Sequence, residues 1–376
     1  MFKRFDIAPF MLLGCAAFLA SCSDEPTQPT PSSSLVEADL VESPSGGEFL
    51  DIAFASTSDR GLAVGSVASG LPPNQTYTPL VAALDPSGAW TADANVASPP
   101  TGLLTAVGLT PSGDALIAGV DASLATGFIL DERNGWSTVD VAFGGRSFFQ
   151  SGDTLRVAGA AGSTQQVFIS TAPDSWTPEA LPYPVGQNER AIVDASAASG
   201  TWAACGFDDS GDGTPASPDN VLFLNHGLGW ERISVACGGC SNREFRSVVV
   251  APTGGILLGG AITNFAGGAN EYTASLALRA VSGDWVEIVL PKPTELKRVN
   301  DLLIAHDGTV YMACGMGGSS YLMRWSNSGP ITREATLTSA RINRLGESAD
   351  GRIWAAGAVL DAEGNVVRPA IWKRTG

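Results

Sequence analysis

The stretch "LIAGVDASLATGFILDERNGWSTVDV" (Leu116–Val141) holds most of one unit of a pattern that recurs along the chain. An apolar strand ends in a small residue plus glycine, here Ala118 and Gly119, and a variable loop follows. A second apolar run, Phe128 to Leu130, leads through a short turn to Trp136, which opens another strand. With the apolar strand and small polar turn that precede it, each unit holds four short strands punctuated by Gly, Ser and Asp. The same order recurs in "LLGGA" through "SLALRAVSGDWVEIVL" (Leu257–Leu290), and around "LAVGS" with Trp90, "RVAGA" with Trp176 and "AACGF" with Trp230. Two later copies, around "MACGM" and "WAAGA", lack the tryptophan at that place. Trp90, Trp136, Trp176, Trp230 and Trp285 stand 46, 40, 54 and 55 residues apart. Four-strand units at this period predict the blades of a β-propeller rather than a sandwich.

Counting copies predicts seven blades. The last runs from "INRLGESADGRIWAAG" (Ile342–Gly357) through "PAIWKRTG" (Pro369–Gly376) and stops after its third strand. At the other end, "LVEADLVESPSGGEFLDIAF" (Leu35–Phe54) aligns with "WVEIVLPKPTELKRVNDLLIA" (Trp285–Ala305), a fourth strand followed by the next blade's first. Leu35 to Val41 is therefore expected to supply the outer strand of the seventh blade, closing the ring and covering an edge that would otherwise invite association.

These units resemble the kelch and Asp-box (BNR) repeats. The kelch-like marks are "LLGG" (Leu257–Gly260), Tyr272 and Trp285; the Asp-box-like marks are Asp85 and Trp90 in "LDPSGAW" and Asp131 and Trp136 in "LDERNGW". The resemblance spans residues 35–376, with each motif degenerate, and implies architecture rather than activity, because propellers host unrelated functions. The tryptophans are expected to be packing anchors between blades.

Composition agrees. The chain is only 16% charged, holds 44 glycines and carries a formal charge of −16. That excludes a disordered chain, and such an acidic surface argues against a nucleic-acid partner. Residues 1–22 differ from the rest. Lys3 and Arg4 precede the apolar core "IAPFMLLGCAAFLA" (Ile7–Ala20), which is too short to span a bilayer and ends in "LASC" (Leu19–Cys22). This resembles the lipobox of bacterial lipoproteins, and implies a signal peptide over residues 1–22, lipidation of Cys22 and attachment to the cell envelope. Ser23 after the cysteine implies the outer membrane or cell surface by the enterobacterial sorting rule. The alternative is an ordinary signal peptide cut nearby. Residues 23–34, "SDEPTQPTPSSS", read as a flexible tether.

Groups able to do chemistry are few. His226 and His306 both sit in turns and read as exposed turn residues; two isolated histidines cannot build a histidine-rich metal site. Cys205 and Cys314 occupy corresponding strands of different blades and are expected to be buried. Cys237 and Cys240, in "CGGC", are expected to form a small-loop disulfide, with a redox pair or part of a zinc site as the alternatives. In "DDSGDGTPASPD" (Asp208–Asp219), Asp208, Ser210, Asp212 and Asp219 fall at EF-hand-like ligand positions, so calcium is the one cofactor considered, against an ordinary acidic turn.

The arginines carry the functional expectation. Arg190, Arg298 and Arg341 each lie ten residues before the glycine of the following turn, at Gly200, Gly308 and Gly351. Arg243, Arg246 and Arg344 lie close to the same place, with Asn300, Asp301 and Asn343. Blades four to seven thus place basic residues at one mouth of the central channel, where they would bind a glycan, peptide or protein ligand, or brace acidic residues of adjacent blades. The primary expectation is a lipid-anchored binding or scaffold propeller without catalysis. The alternative is a glycan-cleaving, sialidase-like hydrolase, for which Glu189, Glu244 and Asp301 are the nearest carboxylates, although no tyrosine nucleophile lies in the entering segments.

Overall fold

The computed structural model describes residues 34–375 apart from 39, 41–43, 71–74, 94–95, 97–100, 122–125, 142–143, 152–153, 162–163, 174, 183–189, 209–220, 234, 236–242, 267–268 and 327–328. A first strand, β1 (Ser34–Glu37), is followed by six complete antiparallel meanders. Blade 1 holds β2 (Gly47–Phe54), β3 (Gly61–Ser69), β4 (Thr76–Leu84) and β5 (Trp90–Ala92). Blade 2 holds β6 (Gly102–Leu109), β7 (Ala115–Asp121), β8 (Gly127–Asp131) and β9 (Ser137–Val141). Blade 3 holds β10 (Gly144–Ser151), β11 (Thr154–Ala161), β12 (Thr164–Ala172) and β13 (Ser175–Ala180). Blade 4 holds β14 (Arg190–Ala198), β15 (Thr201–Asp208), β16 (Val221–Asn225) and β17 (Trp230–Arg232). Blade 5 holds β18 (Arg243–Val250), β19 (Ile256–Ala266), β20 (Ala269–Arg279) and β21 (Trp285–Ile288). One helical turn, α1 (Pro293–Leu296), leads into blade 6: β22 (Val299–Ile304), β23 (Val310–Gly315), β24 (Ser319–Trp325) and β25 (Thr332–Thr338). Blade 7 holds β26 (Ala340–Glu347), β27 (Ile353–Leu360) and β28 (Val366–Thr375).

The seventh sheet runs β26–β27–β28–β1, so the N-terminal strand closes the ring as the repeat count requires. Leu35 stands opposite Arg374 and is buried, and the Ala38 N–H continues the ladder to the Ile371 carbonyl. The strand is shorter than the sequence suggests. Leu40 has already left blade 7 and bridges Trp90 in blade 1, because the chain must cross to the inner strand that begins at Gly47.

Seven apolar clusters hold the molecule together, one at each seam between blades. The repeated tryptophans contribute as packing groups. Fully buried Trp90 meets Phe54 of its own blade and, across the seam of blades 7 and 1, Trp354, both edge-on, and Trp176 and Trp230 pack on Phe148 and Phe149. Asp85 stays in its hairpin: its carboxylate accepts the Ser87 and Ala89 N–H groups, at 2.7 and 3.1 Å, which fixes the turn.

The recurring glycine shapes the channel. Every innermost strand carries a one-residue bulge, at Leu50, Thr105, Arg146, Val193, Arg246, Asn300 and Asn343. In six blades the residue just before the bulge stands opposite the repeat glycine, as Phe49 does to Gly65 and Phe245 to Gly260. A Cβ at Gly260 would sit 1.7 Å from the Glu244 carbonyl oxygen, so the kinked strand and any side chain there cannot coexist. Bulges re-aim side chains, and here they turn a set of polar residues toward the axis.

Candidate functional site

Aligning the seven bulges defines three levels in the channel, counted from the mouth where the innermost strands begin. The rim level, two residues before the bulge, holds Glu48, Leu103, Gly144, Ala191, Glu244, Arg298 and Arg341. The bulge residues form the second level. The residues just after them, Asp51, Ala106, Ser147, Asp194, Ser247, Asp301 and Arg344, form the third.

Much of this polar lining stitches blade to blade. At the bulge level Thr105, Asn300 and Asn343 donate to the next blade's carbonyl just before its own bulge: Gly145, Ile342 (3.2 Å) and Phe49 (2.7 Å). At the third level the carboxylates of Asp51, Asp194 and Asp301 accept the N–H groups of Val107, Val248 and Leu345 at 2.8, 2.9 and 2.7 Å, and the Ser247 hydroxyl accepts from Leu302 at 3.0 Å. Ser147 spans the seam of blades 3 and 4 to Asp194 at 2.9 Å. In blade 7 the third-level residue is Arg344, which cannot accept, and the next N–H in the series, that of Ile52, bonds its own neighbour Asp51.

Arg344 crosses the axis instead. One guanidinium nitrogen lies 2.9 Å from Asp301 and 3.0 Å from Asp194, and its Nε lies 3.6 Å from Asp51. Burial works against its charge, but the carboxylates of Asp194, Asp301 and Asp51 outweigh that and hold its pKa well above the usual arginine value. Burial also pushes Asp51 up to about 7 and Asp301 up to about 6, against the opposing pull of Arg344. A cavity of about 340 Å³ opens along the axis against this cluster, with Asp51, Asp194, Asp301 and Arg344 in its wall.

Ion pairs across seams occupy the rim. Arg341 of blade 7 pairs with Glu48 of blade 1, and Arg298 of blade 6 lies 3.5 Å from Glu244 of blade 5, whose carboxylate also holds Arg246. Burial, then the neighbouring charge of Arg246, lowers the pKa of Arg298. Arg243 turns the other way: it is buried in blade 5 and paired with Glu287 at 2.7 Å. Register explains a further difference. The turn after β14 is shorter than those after β22 and β26, so Ala191, one residue past Arg190, shares the level of Arg298 and Arg341. The side chain of Arg190 lies outside the described residues, as do Cys237, Cys240 and the side chains of Asp208, Ser210, Asp212 and Asp219. Among the described residues no cluster of three His, Cys, Asp or Glu side chains could hold a metal ion.

The sequence reading overlooked Arg146. It occupies the bulge of β10, level with Arg246, and has no ion-pair partner among the described residues. Its side chain is exposed to solvent, yet it sits deep enough in the funnel of surrounding chain for desolvation to lower its pKa. The signal was an arginine next to the "GG" that opens the inner strand of blade 3, in a blade without a rim arginine.

No family model matches the chain, and no curated protein sequence matches it. Solved structures do. A catalytically inactive virginiamycin B lyase from Staphylococcus aureus, crystallised with quinupristin, aligns over 92% of this chain and 100% of its own at 12% identity and a TM-score of 0.58. YCF48 from Cyanidioschyzon merolae aligns over 88% and 96% at 14% identity and 0.52. The polysaccharide lyase Uly1 aligns over 91% and 100% at 9% identity and 0.54. At such identities the likeness shows the β-propeller architecture alone.

Proposed function

We propose that the protein is a binding module, tethered to the cell envelope through a lipid on Cys22, whose arginine-bearing mouth takes an acidic group of a glycan, peptide or protein partner. The observation that supports this is Arg146. Arg298 and Arg341 have carboxylates across their seams and Arg246 shares Glu244 within its own blade, whereas Arg146 is exposed at the bulge level with no counter-charge among the described residues. An unpaired guanidinium in such a place, on a chain of charge −16, is stabilised by an anion arriving from outside. Asp51 and Asp301, although their pKa values are raised, are tied to backbone N–H groups and face Arg344, which favours binding over catalysis.

The test is calorimetric titration of the detergent-solubilised protein with polygalacturonate and with a neutral glucan, over a range of salt. Polygalacturonate should bind, weakening steeply as salt shortens the Debye length to about 10 Å at 0.1 M. Arg146→Ala should reduce affinity at least tenfold without moving the melting temperature. The double variant Arg298→Ala/Arg341→Ala reads the brace role: each loss frees a carboxylate at a seam, so a lower melting temperature with polygalacturonate binding retained assigns those two to architecture. Equal binding of both polymers, or an Arg146→Ala protein that binds like the wild type, overturns the proposal.

A further inference from the structure

The opposite mouth of the channel, where the innermost strands end, is chemically different. There a cavity of about 510 Å³ lies among blades 1, 5, 6 and 7, walled by Phe54, Val250, Pro252 and Ile304. Its volume and its apolar wall with a few converging polar groups are those of a small-molecule pocket. The polar side chains are Ser56, His306 and Glu347, and the last two are joined. Glu347 is almost buried, its side chain 8% exposed, and comes from the end of β26, whereas His306 stands on the turn after β22 with its side chain 69% exposed. The Glu347 carboxylate accepts the backbone N–H of His306 at 2.8 Å and lies 2.9 Å from its Nδ1.

That double contact fixes the ring. A carboxylate accepts only, so Nδ1 must carry the hydrogen, and whenever the imidazole is uncharged Nε2 is left as a hydrogen-bond acceptor. A carboxylate beside an acceptor disfavours an anion at this mouth, in contrast to the arginines at the other. An apolar wall, one oriented acceptor and one nearby negative charge together define what fits: an uncharged molecule with an aromatic or branched aliphatic body and a hydroxyl.

We infer that the exit mouth is a second binding site, taking a small apolar alcohol or phenol whose body lies against Phe54, Pro252 and Ile304 and whose hydroxyl donates to Nε2 of His306. The site is independent of the arginine-bearing mouth. Nothing about it requires an anionic ligand, and none of its residues lies at the rim, bulge or third level.

The chain has only two histidines, so the ring protons of His306 can be followed by NMR with His226, on blade 4, as an internal control. The full-length protein in detergent is titrated with p-cresol, toluene and benzoate at pH 8. p-Cresol should shift the His306 resonances saturably and leave those of His226 in place. Toluene, which fills the wall but cannot donate, should bind about tenfold more weakly, the worth of one neutral hydrogen bond. Benzoate should not bind. Ser56 lines the cavity and is exposed, so Ser56→Trp fills the space without touching the core and should abolish the p-cresol response. No saturable shift of His306 up to the solubility of p-cresol overturns the inference. So does benzoate binding as tightly as p-cresol, or a Ser56→Trp protein responding like the wild type.

Discussion

Arg344 shows how one side chain can change the meaning of several others. As part of a basic cluster read along the chain it belongs to a ligand site; in the fold it sits on the axis with three carboxylates around it. Those carboxylates pay a desolvation cost when ionised, and the consequence is a definite pH dependence. Folding raises Asp51 to about 7 and Asp301 to about 6 from an ordinary value of 3.8. Such groups bind protons more tightly folded than unfolded, so the stability they add is fully present below about pH 4 and is lost as pH rises through 6 and 7. Hairpin aspartates have the opposite sign. Hydrogen bonds from Ser87, Thr309, Ser348 and Asn365 hold Asp85, Asp307, Asp350 and Asp361 below the usual range, so their contribution is lost only as pH falls below about 4. The melting temperature should therefore peak in mildly acidic buffer, near pH 4–5, and decline toward pH 8. Asp51→Asn should flatten part of the decline. A melting temperature that rises steadily from pH 5 to 8 would contradict the cluster as drawn.

At the scale of strands, local chemistry made most of the architecture legible. A glycine after a small residue marks the place where the inner strand bulges against it, and a tryptophan after a turn marks a seam, so both could be counted without any partner in view. The absent fourth strand of blade 7 was equally visible, because a three-stranded blade leaves an edge. What could not be read was lateral. The offset from a turn glycine leads to the rim level at Arg298 and Arg341, but the shorter turn after β14 puts Ala191, not Arg190, at that level. Nor could spacing show that Glu48 and Glu244 stand across the seams from Arg341 and Arg298, since those partners are 293 and 54 residues away. The clasp itself is open to test. β1 buries Leu35, pairs Glu37 with Arg368 and hydrogen-bonds Ser34 to Thr375 at 2.9 Å. A chain beginning at Gly46 forfeits at least the burial of one leucine, about 2 kcal/mol, and bares β28. It should melt several degrees lower and associate in sedimentation experiments. An unchanged, monodisperse protein would mean that blade 7 is stable with three strands.

For the molecule as a whole, the proposed envelope attachment has to be reconciled with so acidic a body. A charge of −16 gives no attraction to anionic headgroups, and among the described residues no helix is long and apolar enough to cross a bilayer. The lipid proposed on Cys22 would supply an affinity that the charge of the body does not. Cys22 stands twelve residues before Ser34, where the ring begins, and a chain of that length reaches about 40 Å at most, so the propeller would work close to the surface and attached by the outer edge of blade 7. A hydrocarbon anchor is insensitive to ionic strength, whereas attachment through the arginine-bearing mouth to an acidic envelope polymer would be screened. Fractionation separates the two. The wild-type protein should stay in the membrane pellet through a 1 M salt wash and leave it in detergent, and Cys22→Ser should move it to the soluble fraction at every salt concentration. If Cys22→Ser pellets as the wild type does, or if salt alone releases the wild type, the lipid is not what holds the molecule in place.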